Sequence, residues 1–203
     1  MLAAAPFPAL YALSSFLAWL AFRVFPYRSH VVAENLRIAF PALDDAARRD
    51  ITRRYYQGYG DVLVEIIKSA ALTPAQLRNR VHVVNLQLPR ELLQRGKPVL
   101  LLAGHQCNWE WMLLALSLEL GAPVDAAYKP LVNDWAEREM SALRRRFGAR
   151  LVPAQQLLGD LIARRAVVRA IAMVADQEPV NSEQKQWLRF LNRDSAFFVG
   201  GEE

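Results

Sequence analysis

The rhythm of apolar and polar positions changes near residue 80. Residues 2–22 carry no charge, and their core reads "LYALSSFLAWLAF" behind Pro6 and Pro8. A bilayer-spanning helix needs about 20 apolar residues, so this run is barely long enough, and the two prolines shorten its regular part. It is predicted as a helix that crosses or dips into a membrane, with a buried core helix as the rival. A cleaved leader fits poorly. No basic stretch precedes the apolar run, and Phe22, Arg23 and Val24 offer no small-x-small site. The arginines that follow, Arg23, Arg28 and Arg37, favour a cytoplasmic location for the rest of the chain.

Residues 30–70 carry the helical period. "SHVVAENLRIAF" stops at Pro41, and "DDAARRDITRRYYQGYGDVLVEIIKSAAL" follows with Asp44 or Asp45 as its cap and Pro74 beyond its end. After residue 80, short β-like runs alternate with helical ones. "VHVVN", "PVLLLAG", "PVDAAY", "RLVP" and "VVRAIAMVAD" are predicted strands, and 89–95, 109–120, 134–147 and 155–165 predicted helices. Gly96, Gly104, Gly121 and Gly148 mark the joints. The pattern predicts an α/β fold: an N-terminal membrane-anchoring helix (1–25), then one domain (26–203) with a mixed, largely parallel sheet and flanking helices.

In an open parallel sheet, functional groups gather beyond the carboxyl ends of the strands. That rule directs attention to "LLLAGHQCNWEW". His105 comes just past a strand, Asn108 stands where a helix cap belongs, and Glu110 falls in the first helical turn. A turn there can fold His105 back beside Glu110, and a carboxylate on an imidazole makes it a better base. Asn108 and the free amides of the helix start are further donors. Spacing alone is satisfied equally by an ordinary capped helix with its acid at the positive end of the dipole. Cys107 is a weaker candidate nucleophile.

Other polar residues fall at similar places. Asp176 ends the strand in "VADQEP", and Lys129 follows another in "YKP". Arg144, Arg145, Arg146 and Arg150 cluster in "LRRRFGAR". The alternatives are a turn aspartate, a solvated lysine and a solvated charged face. His30 and His82 lack an acidic partner at useful spacing. There is no phosphate-cradling glycine loop and no metal-ligand spacing, so no cofactor is expected.

Composition narrows the partners. The chain is 53% hydrophobic with a formal net charge of +5, a mean hydropathy of +0.06 and a pI near 9.7. Lys68, Lys97, Lys129 and Lys185 are its only lysines, so the excess is arginine. Arginine suits carboxylate and phosphate partners, whether on an anionic lipid surface, a phosphorylated substrate, an acidic carrier protein or nucleic acid. The single cysteine excludes an intrachain disulfide and a cysteine-based zinc cluster.

Several blocks together resemble one family. "ENLRIAFP", "GHxxNWEW", "YKPLVND", "RRRFGARLVP", "VADQEP" and "FLNRDSAFFVG" are similar to the late acyltransferases of lipid A biosynthesis, within the lysophospholipid acyltransferase superfamily. The resemblance runs along nearly the whole chain. It implies a glycerol-phosphate-acyltransferase-like fold and transfer of an acyl group from acyl carrier protein to a hydroxyl of a lipid A precursor or related glycolipid. It implies His105 as general base, Glu110 as its partner, and Arg144, with Arg146 next, and Asp176 in substrate binding, to which the positions at the helix start and strand end add Asn108 and Lys129. It also implies the inner membrane as the location, with the catalytic part facing the cytoplasm, a lipid acceptor, and no nucleic acid partner. Two departures stand out. Cys107 occupies a position where the family commonly has glycine, and family members run on well past the end of this chain. The latter makes a noncatalytic remnant or lipid-binding module the rival expectation. A hydrolase using water in place of the lipid hydroxyl is a third.

Overall fold

A computed structural model describes residues 2–25, 27–177 and 185–198. The chain forms two compact units, one of residues 1–68 with 177–203 and one of residues 69–176. The division follows contacts within the folded chain, whereas the sequence boundary near residue 25 follows hydropathy. The end of the "QEP" block and residues 199–203 lie outside the described residues.

The first unit is built on helices α1 (Phe7–Arg23), α2 (Ser29–Ala39) and α3 (Asp45–Ser69). Asp44 caps α3 by accepting the Ala47 amide at 2.7 Å. The apolar N-terminal segment pairs with α3 through polar contacts. Tyr11 donates to Glu65 at 2.7 Å and Ser14 to Asp61 at 2.6 Å, while Lys68 donates to the Ala5 carbonyl at 2.8 Å. Ser14 is fully buried, and Gly60 lets the helices approach, since a Cβ there would meet the Ser14 Oγ at 2.9 Å. Among the described residues no helix is long and apolar enough to cross a membrane. Pro6 stands at the N-cap and a proline in the first turn, which leaves α1 at 17 residues. Its opposite side exposes Phe16, Leu17 and Trp19.

The same unit contains the antiparallel hairpin of β5 (Lys185–Phe190) and β6 (Arg193–Phe198). Leu191 and Asn192 both have positive φ, 48° and 64°, as a two-residue hairpin turn requires. The hairpin reaches α2, where Arg193 donates to the Asn35 side chain at 3.2 Å.

The second unit is the parallel α/β layer. Strands β1 (Val99–Ala103), β2 (Val124–Tyr128), β3 (Arg150–Pro153) and β4 (Ala170–Val174) form a four-stranded sheet in the order β1-β4-β2-β3. Every pairing is parallel. Helices α4 (Pro74–Arg78), α5 (Gln87–Gln94), α6 (Trp109–Glu119), α7 (Asp134–Arg144) and α8 (Leu157–Ala163) connect and flank it. Leu93 of α5 and Leu120 after α6 pack on Val124 and Ala170 to form a core, with Val99, Leu101 and Ala172 around them.

A buried ionic cluster ties the strands together near their amino ends. Asp125 on β2 accepts from Arg169 at 2.7 Å and from Arg164 at 2.5 Å, and both Asp125 and Arg169 are almost fully buried. Asp160 joins through Arg150 at 2.6 Å. Removing one partner from such a cluster leaves a charge stranded away from water, which is far costlier than never having it.

Three expected elements differ. "VHVVN" is not a strand. Val84 is exposed and Asn85 turns the chain at a φ of 58°, so the β-branched run finds no pairing edge. The helix expected to reach residue 147 stops at Arg144, where Gly148 at a φ of 96° supplies the turn into β3. The one expected over 155–165 divides into a 3-10 turn at Ala154–Gln156 and the short α8.

Candidate active site

The site grows from the carboxyl ends of β1 and β4, which lie side by side in register from Val99 with Ala170 to Ala103 with Val174. His105 leaves β1 and Asp176 leaves β4, so the parallel pairing brings residues 71 apart in sequence to one edge. Asp176 grips the turn twice. Its Oδ2 accepts the His105 backbone amide at 2.7 Å, and its Oδ1 meets the His105 Nδ1 at 2.7 Å. An anionic carboxylate can only accept, so the ring carries its proton on Nδ1 and Nε2 is free to take another. Burial acts to raise the Asp176 carboxyl, but hydrogen bonds from the His105 ring and amide outweigh it and hold it below the usual range.

The contact is close because residue 104 is glycine. A Cβ on Gly104 would lie 3.0 Å from the Asp176 Oδ2. Trp109 packs edge-on against the imidazole, with ring centroids 4.9 Å apart. Asn108 caps α6 as expected, its side chain accepting the Trp111 amide at 2.9 Å. Trp111 in turn anchors the helix start, donating from its indole nitrogen to the Ser69 hydroxyl at 2.7 Å.

Glu110 does not supply the carboxylate on His105. It is turned into the protein, 3% exposed, and Arg144 of α7 holds it with two nitrogens. Arg144 Nε donates to Glu110 Oε2 at 2.9 Å, and Nη2 donates to Oε1 at 2.6 Å. The expected contact fails for a geometric reason. A helical first turn points Glu110 along the face that packs on α7, while the left-handed Cys107, at a φ of 50°, swings the preceding turn the other way toward β4. Burial acts against the Arg144 charge, but the ion pair with Glu110 overrides it and raises its pKa. The Arg144 guanidinium also lies 5.8 Å from the Tyr128 ring centroid at the end of β2.

The remaining predicted residues take no part in the His105–Asp176 contact. Arg146 spends its guanidinium on the Ala70 and Leu72 carbonyls, the latter at 2.8 Å, closing the chain after α3. Lys129 is exposed on the loop after β2. Cys107 is a free, exposed thiol. Gly104 and Trp109 were not predicted as site residues. The signal for Gly104 was available, since a glycine between a strand end and a histidine marks a close backbone approach.

An imidazole oriented by a carboxylate at the carboxyl edge of a parallel sheet is the layout of a general-base site. Residues 1–202 match the family described as bacterial lipid A biosynthesis acyltransferase, and the chain belongs to that family. It is also similar to the lipid A biosynthesis lauroyltransferase of Escherichia coli (strain K12), 25% identical over 142 residues. That similarity covers 65% of this chain and 44% of the relative, so the chain spans about half the length of the curated relative it matches.

Proposed function

We propose that the chain acts as an O-acyltransferase, moving a fatty acyl group from the thioester of acyl carrier protein to a hydroxyl of a lipid A precursor or related glycolipid. The observation that carries this reading is the His105–Asp176 contact at the sheet edge, in a chain of this family. His105 Nε2 takes the acceptor hydroxyl's proton as its oxygen attacks the thioester carbonyl. The tetrahedral oxyanion collapses, the carbon–sulfur bond breaks, and the imidazolium returns the proton to the departing thiolate. Asp176 keeps the ring in the required tautomer and balances its charge. Glu110 and Arg144 act one step back, by fixing the α6 start that carries Trp109 beside the ring. Asn108 and Lys129 are proposed near the substrate, Lys129 as an exposed cation able to face an anionic group, while Arg146 supports the site from behind by holding the Ala70 and Leu72 carbonyls.

The basic balance of +5 suits a strongly acidic carrier. The exposed Phe16, Leu17 and Trp19 of α1 favour seating on the inner membrane, with the site on the cytoplasmic side. The test is acyl transfer in vitro with acyl carrier protein thioester, with and without lipid acceptor. His105→Ala is expected to abolish transfer while keeping the far-UV spectrum. Near wild-type turnover in that variant sinks the mechanism, and equal acyl release without acceptor makes the chain a hydrolase instead.

A further inference from the structure

The loop between β2 and α7, residues 129–133, leaves the same sheet edge as His105 and Asp176, because β1, β4 and β2 are parallel neighbours. Its tip is apolar and stands in solvent. Val132 is fully exposed at 101%, Trp135 66% and Leu131 42%. Side chains of this kind usually fold inward when the backbone lets them. Here the backbone is pinned. Glu137 accepts the Leu131 amide at 2.8 Å, the Tyr128 hydroxyl at 3.0 Å and the Ser141 hydroxyl at 2.8 Å. Asn133 caps α7 by accepting the Ala136 amide at 2.9 Å. The Leu131 amide foremost, then the Ser141 hydroxyl, hold the Glu137 carboxyl below its usual range, so the clamp stays charged at neutral pH.

We infer that this loop is a lipid-inserting tip, which places Leu131, Val132 and Trp135 among the acyl chains of a bilayer beside the active site. The inference rests on the acyltransferase reading, in which the acceptor hydroxyl belongs to a membrane lipid and the sheet edge must meet the interface. Shape selects the occupant. A convex tip with a wholly exposed valine buries little against a rigid protein surface but is enveloped by fluid chains. Composition agrees, since tryptophan prefers the membrane–water interface. Lys129 on one side and Arg138 on the helix turn after Trp135 are exposed, and cations beside an inserted tip can meet lipid phosphates. Asp134 and Glu139 are exposed nearby and offset that charge, so the apolar tip carries the attachment and Lys129 orients it.

Because α1 also exposes apolar residues, the test reads the tip locally. The full chain carrying Cys107→Gly and Val132→Cys is labelled with an environment-sensitive fluorophore at residue 132. It is mixed with vesicles of phosphatidylethanolamine and phosphatidylglycerol. A matching probe at Lys97→Cys, before β1 at the opposite sheet edge, is the control. The expected result is a blue-shifted, several-fold brighter probe at 132, quenched by lipids with a nitroxide high on the acyl chain, and an unchanged probe at 97. Val132→Asp in the otherwise native chain is expected to weaken vesicle partition about tenfold. The inference is overturned if the probe at 132 stays aqueous on vesicles that sediment the protein. It is also overturned if that probe responds to acyl carrier protein, or to raised protein concentration, rather than to lipid. Transfer activity is measured separately from the probe signal. A buried probe in a chain that fails to transfer leaves the tip standing and removes the acyltransferase reading, and an aqueous probe in an active chain does the reverse.

Discussion

His105 and Asp176 meet at 2.7 Å through Nδ1 and Oδ1, and the same carboxylate takes the His105 backbone amide. One aspartate therefore fixes both the ring and the turn that carries it. Asp176→Asn keeps an acceptor for the amide but offers the ring an N–H where it needs an oxygen. The imidazole then shifts its proton to Nε2 and cannot act as base. Acyl transfer is expected to fall by roughly 10²–10⁴-fold, mostly in kcat, with the fold intact. Steady-state kinetics on wild type and Asp176→Asn checks this. A loss confined to KM makes Asp176 a substrate contact instead.

Glu110 and Arg144 form a different kind of pair. Glu110 is buried and the guanidinium grips it with two nitrogens. Arg144→Met strands that carboxylate and is expected to cost about 3–5 kcal/mol of stability. Glu110→Gln combined with Arg144→Met is expected to recover part of the loss. Urea unfolding of the two single variants and the double closes the cycle. Strict additivity of the two losses would show that the pair is not coupled.

These two pairs mark where the sequence was legible. His105, Glu110 and Asp176 stand out as site residues because strand ends and a capped helix start can be read from periodicity, whereas Arg144 follows only from the family resemblance. Their partners could not be read, because pairing depends on strand order. Only the placement of β4 beside β1 brings Asp176 to His105. The sequence offered the nearest acid along the chain, Glu110, and helical geometry turns that acid toward α7. The parallel sheet and its helices were legible for the same reason as the strand ends. "VHVVN" misled because β propensity without a free edge makes no strand. Hydropathy presents the α1 segment as uniformly apolar because it does not register Tyr11 and Ser14 bonding to acids of α3.

The Asp176 carboxyl is depressed in the folded chain. A carboxyl with a lowered folded pKa adds stability above its unfolded value, about 3.9, and the contribution is lost as pH falls through the lower folded value. The stability gap between wild type and Asp176→Asn is therefore expected to be full at neutral pH and to close on acidification below about pH 4. Urea titrations at several pH values measure it. A gap that holds constant or widens in acid contradicts the depressed carboxyl.

Gly104 has space for hydrogen but not for a methyl group, since a Cβ there would sit 3.0 Å from the Asp176 Oδ2. The carboxylate is movable, so Gly104→Ala is expected to displace it by a few tenths of an ångström rather than unfold the chain. Transfer should drop about tenfold or more, because productive geometry tolerates little misplacement. Thermal stability should barely change. An active Gly104→Ala with the same kcat would mean that the carboxylate's position is not critical.

Cys107 lies three residues further on, and its strain is of the backbone. A φ of 50° places a side chain in the left-handed region, which costs roughly 1–2 kcal/mol for residues other than glycine. Glycine relieves that strain but adds freedom to the unfolded chain. Cys107→Gly is therefore expected to gain about 0.5–1 kcal/mol net, and Cys107→Val, branched at Cβ, to lose stability. The His105–Asp176 contact does not involve the thiol, so transfer by Cys107→Gly should match wild type. Denaturant unfolding orders the three chains as glycine, cysteine, valine. Loss of transfer in Cys107→Gly with stability raised would return the thiol to the chemistry.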